Sequence, residues 1–124
     1  MKTLFVSDLD GTLLTKNECV SAYSVEHINS LIDRGLSLTF ATARSVHGAK
    51  GALQGLKIQL PAVCYNGALI YDIVQNKTLA FHFFDDALKK ELLEKLNEFA
   101  LAPLLFGAVP YRESVVWLQW KEST

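Results

Sequence analysis

The hydrophobic pattern at the start of the chain predicts a strand, a helix and a second strand. Residues 3–8 are apolar on both faces except at Ser7, which is typical of a central strand in a parallel sheet. Apolar side chains recur at helical spacing over residues 25–34, and Ser24 is a residue type that caps helices at their start. Residues 36–41 have strand character. Two strands joined through a helix indicate a parallel crossover unit of α/β type.

The following segment predicts a second helix, a third strand and an antiparallel hairpin. The helical stretch contains Gly48, Gly51 and Gly55, which lower its helix propensity. Asn66-Gly67 is a strong turn signal. The predicted elements are a helix over 45–56, a strand over 62–65, and hairpin strands over 68–72 and 78–83.

The pattern changes near residue 84, where a strongly amphipathic helix begins. The elements predicted there are a helix from Asp85 or Asp86 to about Phe99, and strands near 104–106 and over 115–120. A helix followed by a hairpin predicts the opening of an α+β unit. We therefore expect two domains, over residues 1–83 and 84–124.

Two acidic residues follow the first strand directly. Asp8 and Asp10 are one residue apart at the end of a buried strand, where two carboxylates repel each other unless a cation lies between them. Carboxylate oxygens suit hard ions such as Mg²⁺, and Gly11 permits a sharp turn of the backbone. Asp8 could attack phosphorus, and Asp10 could protonate the leaving group and then activate water. A solvated Asp-Gly turn at a strand end is the alternative.

Thr42 and Arg44 follow the second strand. Ligands in parallel α/β sheets bind beyond the carboxyl ends of the strands, so these two residues are expected at the same edge as the two acids. Thr42 could hydrogen-bond a phosphoryl oxygen, and Arg44 could pair with phosphate elsewhere on a substrate. The alternatives are a helix cap for Thr42 and a surface charge for Arg44.

Residues 8–14 read Asp-Leu-Asp-Gly-Thr-Leu-Leu, which resembles the first motif of the haloacid dehalogenase-like (HAD) hydrolases. Most members of that family are Mg²⁺-dependent phosphatases. The resemblance implies that Asp8 is the nucleophile and Asp10 the general acid/base. It also implies that a side-chain oxygen of Asp8 and the backbone carbonyl of Asp10 bind Mg²⁺.

Two later segments resemble the Cof-type branch of this family. Residues 39–44, Thr-Phe-Ala-Thr-Ala-Arg, resemble its second motif, with Ala43 where glycine is common. Residues 64–72 resemble the Asn-Gly-Ala segment after its third strand, which makes Asn66 a candidate substrate contact. A plain turn explains Asn66 equally well. The fold implied is a truncated HAD-type, Rossmann-like parallel sheet core with the beginning of an α+β cap.

The resemblance extends over only about the first half of the family's pattern. A later Lys and a pair of acids that would complete the Mg²⁺ site are absent from the sequence. Without the family's last two core strands, the first strand becomes an edge with unpaired amides and carbonyls. We therefore expect a truncated gene product that forms a homodimer, or swaps elements, across this first-strand edge.

The function implied by the resemblance is that of a Mg²⁺-dependent phosphatase on small phosphorylated metabolites, with an aspartyl-phosphate intermediate. The alternative is a catalytically incomplete domain that binds phosphate, metal or a partner chain. A receiver-like phosphoacceptor is a third interpretation, and the Asp-x-Asp-Gly-Thr spacing argues against it.

Composition and charge further limit the partners, the cysteine chemistry and the cellular location that we expect. A formal net charge of -1 gives no electrostatic reason to expect nucleic acid or an acidic membrane as a partner. Cys19 and Cys64 have no metal-site spacing and indicate reduced thiols. No apolar run approaches ~18 residues, so neither a signal peptide nor a transmembrane helix is predicted. The cytoplasm is the expected location.

Overall fold

The computed structural model describes residues 3–109 and 112–117 of the 124-residue chain. The chain divides into two compact units, Met1–His82 and Phe83–Thr124. The first unit contains β1 (Leu4–Ser7), α1 (Ala22–Asp33), β2 (Ser37–Phe40), α2 (Val46–Ala52), β3 (Ala62–Cys64), β4 (Leu69–Asp72) and β5 (Lys77–Phe81). The second contains α3 (Asp86–Glu98), β6 (Leu104–Val109) and β7 (Arg112–Trp117). The assignment of these parts to a core and a cap stays a prediction.

Strands β1 and β2 form the predicted parallel pair, with α1 in the crossover between them. Their register runs from Leu4 opposite Ser37 to Ser7 opposite Phe40. The Ala41 amide extends the pairing by donating to the Ser7 carbonyl at 2.9 Å. The residues that follow the two strands therefore leave the sheet at the same edge.

Strand β3 connects this pair to an antiparallel sheet of order β3-β4-β5. A single parallel bridge joins Ala41 to Val63, and the Thr42 amide donates to the Val63 carbonyl at 2.9 Å. The side-chain hydroxyl of Thr39 also donates to the Pro61 carbonyl, at 2.7 Å. These bonds bring the carboxyl end of β3 beside that of β2.

The start of α1 corrects the sequence prediction. The helix begins at Ala22, and its cap is Ser21, whose hydroxyl accepts the Ser24 amide at 3.1 Å. The prediction of Ser24 as the cap is wrong, because Ser24 supplies the amide that Ser21 caps. Both serines precede the apolar stripe, and spacing alone did not distinguish them.

Helix α2 is shorter than the predicted span of 45–56. Ser45 caps it by accepting the Gly48 amide at 3.1 Å, and the helix ends at Ala52. Gly55, with φ at 90°, lies beyond the helix in a left-handed conformation that favours glycine. The low helix propensity of this stretch is consistent with the early end.

The core of the first unit forms between α2, the sheet and the segment after β1. Its buried apolar residues include Leu9, Val20, Phe40, Val46, Ala49, Leu53, Ala62, Cys64 and Leu69. Cys19 is exposed and Cys64 is buried, and neither forms a disulfide. No helix in the described part of the chain is long and apolar enough to cross a membrane.

Strand β1 is the exposed part of this sheet. Leu4, Phe5 and Val6 retain 55%, 52% and 54% of their surface. Consecutive residues of a strand point to opposite faces, so β1 is open on both faces. Within the described residues β1 pairs only with β2, and it therefore lies at an edge.

In the second unit, α3 has the predicted cap and β6 pairs with β7. Asp85 accepts the Leu88 amide at 2.8 Å, and the helix runs from Asp86 to Glu98. The antiparallel register runs from Leu104 opposite Trp117 to Val109 opposite Arg112. Positions 118–120 of the predicted second strand lie outside the described residues.

Candidate active site

A wide turn over residues 9–13 follows β1 and presents the two motif acids. The Leu14 amide closes it by donating to the Leu9 carbonyl at 2.9 Å. Gly11 has φ at 72°, the left-handed conformation that glycine adopts most readily. Leu9 is fully buried, so the turn is anchored in the core between Asp8 and Asp10. The Leu9 amide donates to Oδ1 of Asp8 at 2.7 Å and orients that carboxylate.

The segments after β2 and β3 are held together by backbone hydrogen bonds. The Tyr65 amide donates to the Arg44 carbonyl, and the Asn66 amide to the Thr42 carbonyl, both at 3.1 Å. Asn66 and Gly67 have φ of 54° and 98°, which fits the predicted turn. The buried hydroxyl of Thr42 accepts the Arg44 amide at 3.1 Å. A hydroxyl also carries one donor, so Thr42 retains a hydrogen to give to a ligand.

These elements enclose a cleft of about 450 Å³. It is lined by Asp8, Asp10, Ala41, Thr42, Ala43, Val63, Asn66 and Gly67. Four of the five candidate site residues therefore lie along one cleft, and the fifth, Arg44, contacts Asp10 directly. Their catalytic and binding roles stay predictions.

Arg44 forms a two-pronged ion pair with Asp10. Its Nε donates to Oδ2 at 2.8 Å, and its Nη2 donates to Oδ1 at 2.6 Å. These hydrogen bonds lower the pKa of Asp10 below its usual value and raise the pKa of Arg44. Asp10 is thus held as a carboxylate, and the guanidinium predicted to meet phosphate is placed on an acid of the site.

Glu18 is a charged neighbour that the sequence did not single out. Its Oε2 lies 3.4 Å from Nη2 of Arg44. No motif includes Glu18, and its place depends on the path of the loop before α1. Only the folded loop brings it to Arg44.

The donor set of the cleft fits Mg²⁺ in part. Among the described residues there is no group of three or more His, Cys, Asp and Glu side chains that could hold a metal. Mg²⁺ commonly uses one or two protein carboxylates and completes its shell with water and substrate phosphate. Asp8 could supply one such carboxylate and Asp10 its backbone carbonyl, and both residues line the cleft. Magnesium binding stays a prediction.

Comparison with known proteins identifies the family. The model of the haloacid dehalogenase-like hydrolase family matches residues 5–118. The chain is 30% identical over 99 residues to pyridoxal phosphate phosphatase YbhA of Escherichia coli, covering 80% of this chain and 36% of that protein. It is 40% identical over 65 residues to 5-amino-6-(5-phospho-D-ribitylamino)uracil phosphatase YwtE of Bacillus subtilis, covering 52% and 22%.

A solved structure shows the same fold. The HAD phosphatase BT1666 of Bacteroides thetaiotaomicron superposes with a TM-score of 0.74 at 22% identity, over 85% of this chain and 38% of that one. The predicted α/β class and HAD-type core are therefore confirmed. The chain spans roughly a third of the length of most relatives it matches. It belongs to the haloacid dehalogenase-like hydrolase family, as its Asp-Leu-Asp-Gly-Thr motif predicted.

Proposed function

We propose that this chain carries the nucleophile half of a Mg²⁺-dependent phosphatase site for small phosphorylated metabolites. The observation that carries the proposal is the shared cleft of Asp8, Asp10, Thr42 and Asn66. These residues come from three separate segments of the chain. Their convergence at one sheet edge supports a site that contacts a single phosphoryl group from several sides.

Asp8 acts as the nucleophile in this proposal. A carboxylate oxygen of Asp8 attacks phosphorus, a P–O bond forms, and the bond from phosphorus to the substrate oxygen breaks. The Leu9 amide holds Oδ1 of Asp8 at 2.7 Å, which limits rotation of the carboxylate and reduces the entropy lost on reaching the reactive geometry. The product of this step is an aspartyl-phosphate.

Asp10 handles the protons of both half-reactions. It donates a proton to the departing substrate oxygen, and then accepts one from the water that attacks the aspartyl-phosphate. In the present arrangement Asp10 is ionised by its pairing with Arg44. The first proton transfer therefore requires Asp10 to leave Arg44 and to take up a proton from solvent.

Thr42 and Asn66 bind the phosphoryl oxygens from the other side of the cleft. The Thr42 hydroxyl keeps one hydrogen to donate, and the Asn66 side-chain amide offers two. Hydrogen bonds that strengthen as negative charge develops on those oxygens accelerate the reaction. Mg²⁺, which a side-chain oxygen of Asp8 and the backbone carbonyl of Asp10 would hold, would supply positive charge to the phosphoryl group.

The activities of two relatives support a substrate class for this proposal. They are phosphatases for pyridoxal phosphate and for 5-amino-6-(5-phospho-D-ribitylamino)uracil. Both compounds are phosphate monoesters of small, ring-containing metabolites. We propose that the substrates of this protein are phosphate monoesters of the same chemical class.

Hydrolysis of p-nitrophenyl phosphate with and without Mg²⁺ tests this function. We expect Mg²⁺-dependent turnover that Asp8→Asn abolishes and Asp86→Asn leaves unchanged, because Asp86 lies on α3 and pairs with Lys89. Turnover that survives Asp8→Asn contradicts the proposal.

The second candidate is a domain that binds phosphate and Mg²⁺ without turnover. The ion pair of Asp10 with Arg44 favours it, because an acid held in this way has no proton to donate. A folded sample that binds inorganic phosphate in the cleft and gives no hydrolysis would identify this function.

A further inference from the structure

Arg44 lies between two carboxylates with different surroundings. Asp10 lines the cleft, whereas Glu18 lies on the loop before α1 and is not among the residues that line it. Arg44 makes two hydrogen bonds to Asp10, and its Nη2 is 3.4 Å from Glu18. The Arg44 side chain is 22% exposed, whereas those of Asp10 and Glu18 are 56% and 75% exposed. The guanidinium therefore joins an acid that lines the cleft to an exposed acid that does not line it.

The loop that carries Glu18 is a closed structure rather than an open connection. The Thr15 amide donates to the Cys19 carbonyl at 2.9 Å, and the Glu18 amide donates to the Thr15 carbonyl at 3.0 Å. The Thr15 hydroxyl adds a bond of 2.9 Å to the same Cys19 carbonyl. Glu18 has φ at 57°, which is unfavourable for a residue with a long side chain. The loop thus fixes the backbone from which Glu18 reaches Arg44.

A phosphate can compete with Asp10 for Arg44. The planar guanidinium donates in parallel to two oxygens of either a carboxylate or a phosphate, so both anions use the same N–H groups. Because Asp10 lines the cleft and pairs with Arg44, a phosphoryl group bound there would approach Arg44 from the Asp10 side. Arg44 and Glu18 both lie next to the cleft rather than in its lining, so Glu18 does not have to leave for this exchange.

We propose that Glu18 is a positioning residue that keeps Arg44 at the cleft while a bound phosphate replaces Asp10 as its partner. The inference rests on the proposed phosphatase function and extends it. In this structure Arg44 pairs with Asp10. When a phosphate binds, Arg44 turns to the phosphate, Glu18 retains one edge of the guanidinium, and Asp10 is freed for its proton transfers.

The test is NMR titration of the full chain with inorganic phosphate in the presence of MgCl₂. The Nε–Hε signal of Arg44 reports its partner, and the backbone amides of Thr42 and Asn66 report occupation of the cleft. In the wild type we expect all three signals to shift with one dissociation constant. In Glu18→Gln we expect that constant to rise by about 3- to 10-fold, an estimate based on the loss of one charge-assisted contact.

The direction in which Glu18→Gln changes the phosphate dissociation constant distinguishes a positioning role of Glu18 from a purely electrostatic one. Removing a negative charge near an anion site strengthens phosphate binding if only electrostatics acts. Weaker binding therefore indicates that Glu18 holds Arg44 in place. Glu26→Gln makes the same charge change at an exposed position of α1 and should leave the constant unchanged.

The outcomes distinguish this inference from the proposed function. If phosphate shifts the Thr42 and Asn66 amides and leaves the Arg44 signal in place, the phosphate site stands and the exchange of Arg44 is overturned. Phosphate binding that is unchanged or tighter in Glu18→Gln also overturns the proposed role of Glu18. If none of the three signals responds to phosphate, the proposed function fails together with the inference.

Discussion

At the scale of single residues, the central feature is the alternation of Asp8, Leu9 and Asp10. Leu9 is buried completely, and the acids on either side of it line the cleft. A buried apolar residue between two acids fixes their direction, because any rotation of the turn would expose Leu9 and bury a carboxylate. The same spacing that suggested a catalytic motif thus has a packing reason as well.

The Asp10–Arg44 pair makes a prediction about pH. Because the folded-state pKa of Asp10 is lowered, the pair contributes stability at pH values above the ordinary Asp pKa of ~3.9 and loses it as pH falls through the lowered value. Arg44→Gln removes the partner, so the Asp10 pKa should rise toward its ordinary value. Carbon-13 NMR titration of the Asp10 carboxyl measures this change. An Asp10 pKa that is the same in wild type and Arg44→Gln would contradict the ion pair.

At the scale of elements, local hydrogen bonds decide where helices start and where the chain turns. Ser21, Ser45 and Asp85 each cap a helix by accepting the amide three residues ahead. The sequence predicted the cap at Asp85, whereas it placed Ser45 at the start of its helix without assigning it as the cap. The turn over Tyr65–Gly67 carries left-handed residues that place Asn66 beside Thr42.

The cap of α1 gives a test with a matched control. Ser21→Ala removes the acceptor of the Ser24 amide and should lower the free energy of unfolding by about 1 kcal/mol. Ser24→Ala keeps that backbone bond and loses only the contact between the two hydroxyls. Urea denaturation of both variants measures the difference. A larger loss in Ser24→Ala than in Ser21→Ala would show that the cap is assigned to the wrong serine.

Replacing either of two glycines of the first unit with alanine should change the free energy of unfolding, with opposite signs at the two positions. Gly51 lies in α2 with open space around it, so Gly51→Ala should stabilise the protein by about 0.5–1 kcal/mol through helix propensity. Gly67 has φ at 98°, so Gly67→Ala should destabilise it by about 1–2 kcal/mol. Thermal or urea unfolding of the pair is the measurement. Equal changes in the free energy of unfolding for the two variants would contradict the left-handed conformation of Gly67 beside Asn66.

At the scale of the whole molecule, β1 presents a strand edge that is open on both faces. The sequence predicted this edge from the family's strand order, and the exposure of Leu4, Phe5 and Val6 agrees with an edge position. Covering these three half-exposed side chains would bury far less surface than the roughly 800 Å² per partner of a stable interface. Self-association through β1 alone is therefore expected to be weak, and the homodimer stays a prediction.

Sedimentation at increasing protein concentration tests association through this edge. We expect a reversible shift toward dimer that Val6→Lys removes, because an edge lysine opposes strand pairing. Leu79→Lys on β5, another exposed apolar strand position, is the matched control and should leave the shift intact. A monomer at all concentrations, or equal effects of the two lysines, would exclude β1 as the interface.

The sequence predicted the parts of the site that depend on local order along the chain. Asp8 and Asp10 follow a strand, Thr42 follows the next, and Asn66 lies in a turn, so strand topology alone brings them to one cleft. The ion pair of Arg44 with Asp10 and the place of Glu18 depend on side-chain directions and a loop path that no periodicity encodes. The Ser21 cap was missed because Ser21 and Ser24 are equally good capping residues by type.

The measurement that tests the central claim most directly is fluorine-19 NMR of the chain with beryllofluoride and Mg²⁺. Beryllofluoride mimics a phosphoryl group on a carboxylate, so it reports a nucleophile without requiring turnover. We predict a bound fluorine signal that needs Mg²⁺, disappears in Asp8→Asn and persists in Asp86→Asn. A bound signal that persists in Asp8→Asn, or no bound signal in a folded wild-type sample, would contradict the assignment of Asp8 as the phosphoryl acceptor.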